Sequence, residues 1–175
     1  PVVDLDFTSL PTAPHAALCP APAARARAGH RNRTGEFCGG GAVALFLLSR
    51  GADTVDGIEL NPRLAAMAER TAKLNGLSGR LKVFCGDVGQ IKTYAAAGSQ
   101  DLVVANPPYR MSTSGRVSPT AGVALARHES GAGLREFVQA AAFLLRYRGR
   151  FAMIHLPERL VDLCTEMRNA DLEPK

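Results

Sequence analysis

The sequence predicts an α/β domain built on a doubly wound, mainly parallel sheet. Three observations predict it. Short apolar strands alternate with helical stretches from Gly39 onward, no internal repeat interrupts the alternation, and the chemically unusual residues fall directly after strands. Strands separated by helices imply βαβ units, in which the sheet is covered on both faces.

The elements follow in order. Ala42–Arg50 reads as a helix. Its apolar run from Ala42 to Leu48 is far shorter than the roughly 20 residues that span a bilayer, so it reads as buried. Thr54–Leu60 is a strand. Asn61 is placed to cap a helix from Pro62 to Asn75, with proline at its first position and Asn75-Gly76 as its stop. Leu81–Cys85 and Asp101–Ala105 are strands, Leu134–Arg146 a helix, Phe151–Leu156 a strand and Glu158–Asn169 a last helix. Residues 1–35, rich in Ala, Pro, Arg and Gly, show no sustained period of 2 or 3.6 and are expected to form a loosely ordered arm. The ordered domain is therefore expected over 36–175.

With 175 residues the chain suits one domain with a substantial core. Its 46% hydrophobic and 21% charged content is ordinary for a globular protein and excludes a low-complexity chain. Cys19, Cys38, Cys85 and Cys164 are scattered without a CxxC pair, which argues against zinc or a disulfide framework and fits a reducing cytoplasm. Neither a secretory signal nor a membrane span is read, no metal is expected, and a monomer is. The net charge of +5 is concentrated. Between Arg110 and Arg150 stand seven arginines (Arg110, Arg116, Arg127, Arg135, Arg146, Arg148 and Arg150) against Glu129 and Glu136. Arginine grips phosphate bidentately, so a polyanionic partner fits this stretch, as does an ordinary solvated helix face.

Four strand ends carry the chemistry, because ligands of open parallel sheets bind outside the strand C-termini. Cys38-Gly39-Gly40-Gly41 leads into the Ala42 helix; it lets a backbone approach a ligand, although a glycine turn alone is often only a turn. Glu59 ends its strand 18 residues after Gly41, close to the ~20 of a site where an acid accepts from both ribose hydroxyls. Asp87 can accept from an adenine amino group while Val88 packs on the ring, and Asp87 equally suits the N-cap of a following turn. Asn106-Pro107-Pro108-Tyr109 closes an apolar strand. Two prolines stiffen it, so that the Asn106 side-chain oxygen and the Pro107 carbonyl can hold both hydrogens of an –NH2 group while Tyr109 stacks on the planar target.

These sites, in this order over 36–175, resemble class I S-adenosylmethionine-dependent methyltransferases that act on amino groups. Asn106-Pro107-Pro108-Tyr109, Gly115-Arg116-Val117-Ser118-Pro119, Ala126-Arg127-His128-Glu129, Gly149-Arg150-Phe151-Ala152 and Leu156-Pro157-Glu158-Arg159-Leu160 look closest to the bacterial valine-tRNA adenine-N6-methyltransferases. The resemblance implies a Rossmann-like fold, here lacking the last two strands, and S-adenosyl-L-methionine as cofactor. Gly39, Gly41 and Glu59 would surround its methionine and ribose, and Asp87 and Val88 its adenine. Asn106 and Tyr109 would meet the target base, and Arg110, Arg116 and Arg127 the tRNA. Gly35-Glu36-Phe37 stands where the family has Asp-Leu-Gly, and Phe37 is expected to crowd the methionine end.

Other readings share parts of this pattern. A protein-glutamine N5-methyltransferase would use the same Asn-Pro-Pro-Tyr loop on an amide, and a DNA adenine or rRNA guanine methyltransferase would use it on a base of another nucleic acid. A non-catalytic RNA-binding module would keep the arginines and lose the cofactor. His155 reads as a satisfied histidine near the sheet end, His128 as a helix-terminal one, Cys85 and Cys164 as core thiols, and Met153 and Met167 as packing.

Overall fold

The computed structural model describes residues 2–4, 32–37, 41–107 and 132–175. Their strands form one sheet. In chain order these are β1 (Val2–Asp4), β2 (Arg33–Phe37), β3 (Thr54–Glu59), β4 (Leu81–Cys85), β5 (Gln100–Ala105), β6 (Leu145–Met153) and β7 (Glu173–Pro174). The helices are α1 (Ala42–Ser49), α2 (Pro62–Leu74), α3 (Leu134–Leu144) and α4 (Leu160–Asn169), with 3-10 turns at Val88–Thr93 and Pro157–Arg159. The sheet order is β4-β3-β2-β5-β6-β1-β7, and every pairing is parallel.

Side-chain alternation along β5 divides the core. Leu102 and Val104 point to the face covered by α1 and α2, where they join Ala44, Leu47, Leu48, Val55 and Ala72. Val103 and Ala105 point to the other face, where Phe37, Phe137, Val138, Phe151, Leu163 and Met167 pack beneath α3 and α4. Because both faces are covered, β5 is buried along its whole length, and the central strands show continuous burial instead of an in-out rhythm.

The local signals read from the sequence explain α2 well. The Asn61 side chain accepts from the Arg63 amide at 2.9 Å, Pro62 takes the first helical position, and the helix ends into Asn75 and Gly76, whose φ is +67°. Elsewhere the boundaries move. Strand β2 starts at Arg33, ahead of the boundary expected at 36, and Val2–Asp4 of the expected arm pairs with β6 through Val3 and Phe151. Arg33-Thr34-Gly35-Glu36-Phe37 has no period of 2 because it lies between β3 and β5 and is enclosed from both sides. Helix α3 stops at Leu144, and β6 begins at Leu145, six residues before the expected Phe151. On the side of β6 where no further strands were expected, β1 and β7 add two short ones.

Phe151 is the anchor of β6 and is fully buried. Phe151→Ala is expected to destabilise the protein by about 3–5 kcal/mol. Urea unfolding followed by circular dichroism measures this, and a loss under about 1 kcal/mol would contradict the central packing described above.

Candidate active site at the strand C-termini

Strand order reverses between β2 and β5: the chain leaves β2 towards β3 and β4, then returns to pair β5 on the opposite side. This is the switch point at which α/β sheets hold ligands. Parallel register brings the C-terminal ends of β2 to β5 to one edge, with Phe37 opposite Ala105 and Glu59 opposite Cys85. Gly41, Glu59, Asp87, Asn106 and Pro107 all follow or end these strands and share that edge. Gly39, Pro108, Tyr109, Arg110, Arg116 and Arg127 lie outside the described residues, as does His128.

Gly41 has two reasons to be glycine. Its φ is +87°, and a Cβ there would stand 3.1 Å from both Cα and Cβ of Ala68 in α2. The turn is thus needed for the close approach of α1 and α2 as well as for whatever lies above it. Glu59 is half-buried, and its Oε1 accepts from the Asn61 amide at 2.7 Å, which ties the carboxylate to the start of α2. Asp87 takes up the N-cap position anticipated for it, accepting from the Gly89 amide at 2.8 Å. Val88, expected to face a ring, is buried in the core beside Ile91. Asn106 is half-buried and donates its amide to the Phe37 carbonyl at 3.4 Å, while Ile154 donates to the Ala105 carbonyl at 3.0 Å. Asn106 is therefore tied to the end of β2, one residue after a strand end that accepts from the end of β6, and Pro107 behind it is buried.

Phe37 does not crowd this edge. Its ring lies on the opposite face, edge-on to Phe137 with centroids 5.9 Å apart. The residue beside it is the one that sequence reasoning missed. Glu36 is only 4% exposed, points towards α1 and α2, and leaves its Oε1 without a hydrogen-bond partner. It lines a small, open hollow of about 10 Å³ with Gly41, Ala44, Gly57, Glu59 and Val83. Burial, then the negative charge of Glu59, push the Glu36 carboxyl from an ordinary 4.5 up to about 8, against a hydrogen bond from the Ala44 amide that favours the charged form. No periodic pattern marks Glu36; only its place in a strand enclosed on both faces does.

Tyr94 is a second residue without a sequence signal. A Cβ at Gly86 would overlap its hydroxyl, so Gly86 is what lets the Tyr94 ring lie across the end of β4, beside Phe84. His155 is buried, with Nδ1 accepting from the Leu156 amide at 2.9 Å; burial first, and Arg159 nearby, hold its pKa below the ordinary value. Cys85, expected in the core, is exposed at the end of the edge strand β4, and Cys164 is half-buried. Met153 and Met167 are buried as packing residues. Among the described residues no group of His, Cys, Asp or Glu is arranged to hold a metal, and no helix is long and apolar enough to cross a membrane.

A family model described as "Methyltransferase small domain" matches residues 35–158. A Porphyromonas gingivalis protein named tRNA1(Val) (adenine(37)-N6)-methyltransferase is 34% identical over 128 residues, covering 71% of this chain and 49% of its own. An Edwardsiella ictaluri ribosomal-protein methyltransferase is 32% identical over 127 residues, covering 70% and 40%. The chain thus spans about half the length of the curated relatives it matches. Among solved structures, the Streptomyces coelicolor geranyl diphosphate C-methyltransferase in complex with S-adenosyl-L-homocysteine superimposes with a TM-score of 0.54. It is 13% identical, covering 82% of this chain and 49% of its own, a likeness of fold.

The buried acid sets a pH dependence. Raised in the folded state, the Glu36 pKa means that the native protein keeps a proton the unfolded chain releases. Stability should therefore fall as pH rises from 4.5 to about 8, by at most ~1.4 kcal/mol per pH unit, and level off above. Glu36→Gln is expected to flatten this slope and to raise the melting temperature at pH 8; equal pH profiles for both proteins would refute the buried neutral acid.

Proposed function

Because the chain belongs to the methyltransferase small-domain family, we propose that it is an S-adenosylmethionine-dependent N-methyltransferase acting on an exocyclic adenine amino group in tRNA. The observation that supports this most directly is the neighbourhood of two features at the switch point. Asn106 is fastened to the end of β2, and the Gly41 turn and Glu59 stand at the ends of the same and the next strand.

The residues at this edge suit the cofactor. Among the described residues the cavity is lined by Glu36 and Glu59 and by no basic side chain, so it offers carboxyl oxygens as acceptors to hydroxyl and ammonium groups. Gly41 leaves the backbone bare at the start of α1, and Glu59, at the end of β3, is the acid for the ribose hydroxyls. Gly39 and Asp87 complete the cofactor set by their places after β2 and β4. Bound here, S-adenosylmethionine supplies an electrophilic methyl group on a positively charged sulfur.

The protein's own part is positioning. An adenine amino nitrogen is a poor nucleophile because its lone pair is delocalised into the ring. Acceptance of its two hydrogens by the Asn106 side chain and the Pro107 carbonyl would favour a more tetrahedral nitrogen and stabilise the positive charge it gains as the C–N bond forms and the methyl–sulfur bond breaks, with the thioether leaving neutral. The proton leaves for solvent once the nitrogen is cationic, so no strong base is required. Holding the reactants in line can contribute ~7–11 kcal/mol in favourable cases. Tyr109, next in sequence after the two prolines, is assigned as the stacking surface for an unstacked base. Arg110, Arg116 and Arg127 are assigned to the RNA backbone, and a tRNA substrate supports a cytoplasmic protein. The name of the Porphyromonas gingivalis relative supports adenine in tRNA, while the ribosomal-protein relative keeps an amide or amine of a protein as the second reading.

Transfer of a radiolabelled methyl group to unmodified tRNA, measured beside a release-factor protein, separates the two. Asn106→Ala is expected to lower transfer to tRNA by at least about a hundred-fold while cofactor affinity in calorimetry changes less than about three-fold. Glu59→Ala is expected to weaken cofactor binding instead. Substantial turnover by Asn106→Ala refutes the acceptor role; transfer to protein alone refutes the tRNA reading.

A further inference from the structure

The rim of the sheet opposite the glycine turn carries a feature that methyl transfer does not use. Gln100 pairs with Leu145 and Leu102 with Arg150, so the single residue Asp101 of β5 faces four residues of β6. The three extra residues, Arg146, Tyr147 and Arg148, are pushed out of the sheet, and all three are exposed. A bulge of this kind re-aims side chains and is a built feature of a fold. Here it is clamped on both sides. Arg146 forms an ion pair with buried Asp101, which also accepts from the Arg33 amide at 2.9 Å. Gly149 closes the bulge so tightly that a Cβ would lie 2.9 Å from the Arg146 carbonyl and from Leu145.

What the clamp displays is an aromatic ring with a cation against it. Tyr147 is 83% exposed, and the Arg148 guanidinium lies 5.4 Å from its ring centroid. Arg148 has a φ of +63°, a conformation that glycine adopts freely and that costs a larger residue about 1 kcal/mol or more. The bulge thus presents the Arg148 side chain beside an exposed tyrosine. Arg33 and Arg80 stand on the same rim at the starts of β2 and β4, against Asp53 and Asp101. Arg80 donates to the carbonyls of Asp53 and Ala52 and forms no ion pair among the described residues.

We propose that this rim is a second RNA-contacting surface, with Tyr147 stacking on an unpaired base and Arg148, Arg33 and Arg80 lying along phosphates. It deepens the tRNA reading and rests on it. The rim lies about 20 Å from Asn106, the length of six strand residues, so one RNA that reaches both must run along the whole side of the sheet. A stacked base and a phosphate run are the chemistry of single-stranded RNA segments, and an isolated amide of a protein substrate would not need them.

Fluorescence anisotropy with a labelled tRNA transcript tests this on the full chain, with thermal melting as the control for folding. Tyr147→Ala is expected to weaken binding roughly ten-fold and to raise KM for tRNA with kcat unchanged, and Tyr147→Phe to remain within about two-fold of native. Arg148→Gly, which relieves the backbone, is expected to melt no lower while the slope of log affinity against log salt falls by about one. Native affinity in Tyr147→Ala, or an equal loss in Tyr147→Phe, overturns the proposal. If Tyr147→Ala methylates tRNA with native KM, the rim is wrong and the methyl-transfer reading stands; if tRNA binds through Tyr147 but is never methylated, the reverse holds.

Discussion

The rest of the structure depends on the position of β2 between β3 and β5. Its pairing with β3 sets where the Gly41 turn and Glu59 stand relative to each other, and its pairing with β5 sets where Asn106 begins. The amide of Asn106 closes onto the Phe37 carbonyl, so the last hydrogen bond of the β2–β5 ladder is also the first constraint on the proline turn. A slip of one residue in this pairing would exchange the two faces of β2. Phe37 would leave the α3 side of the core, and Glu36 would enter it.

Glu36 is the point at which this arrangement conflicts with ordinary core chemistry. Burying an unpaired carboxylate is strongly unfavourable, and the group keeps its proton instead. Gly57 and Gly41 have no side chains to fill the space that Glu36 and Glu59 border. A carboxyl whose pKa is shifted this far, beside a second acid at the strand ends, is the kind of group that clusters at functional sites.

Much of this was legible in the sequence, for physical reasons that differ by element. Asn61-Pro62 and Asn75-Gly76 are local signals, and α2 begins and ends where they direct. The apolar run of β5 and the prolines after it located Asn106 at a strand end. Strand β2 was not legible, because a strand covered on both faces shows no alternation, and Arg33-Thr34-Gly35-Glu36 carries few of the residues that favour strands. Glu36 was hidden with it. The fate of Val88 was equally unreadable, since an apolar residue after a strand can face a ligand or the core, and here the core took it. The bulge at Arg146-Tyr147-Arg148 reads as the tail of a helix until the register with β5 is known.

An all-parallel sheet has a kinetic side. None of its strand pairs can zip from a tight turn: Thr34 must find Val55 across 21 residues and Leu102 across 68. Loops of that length close slowly, so assembly waits on distant encounters, and β2 is flanked on both edges only after β5 has been reached. Until then its backbone remains a ready template for pairing with another chain, which makes the slow interval, more than the finished fold, the aggregation-sensitive stage of this protein.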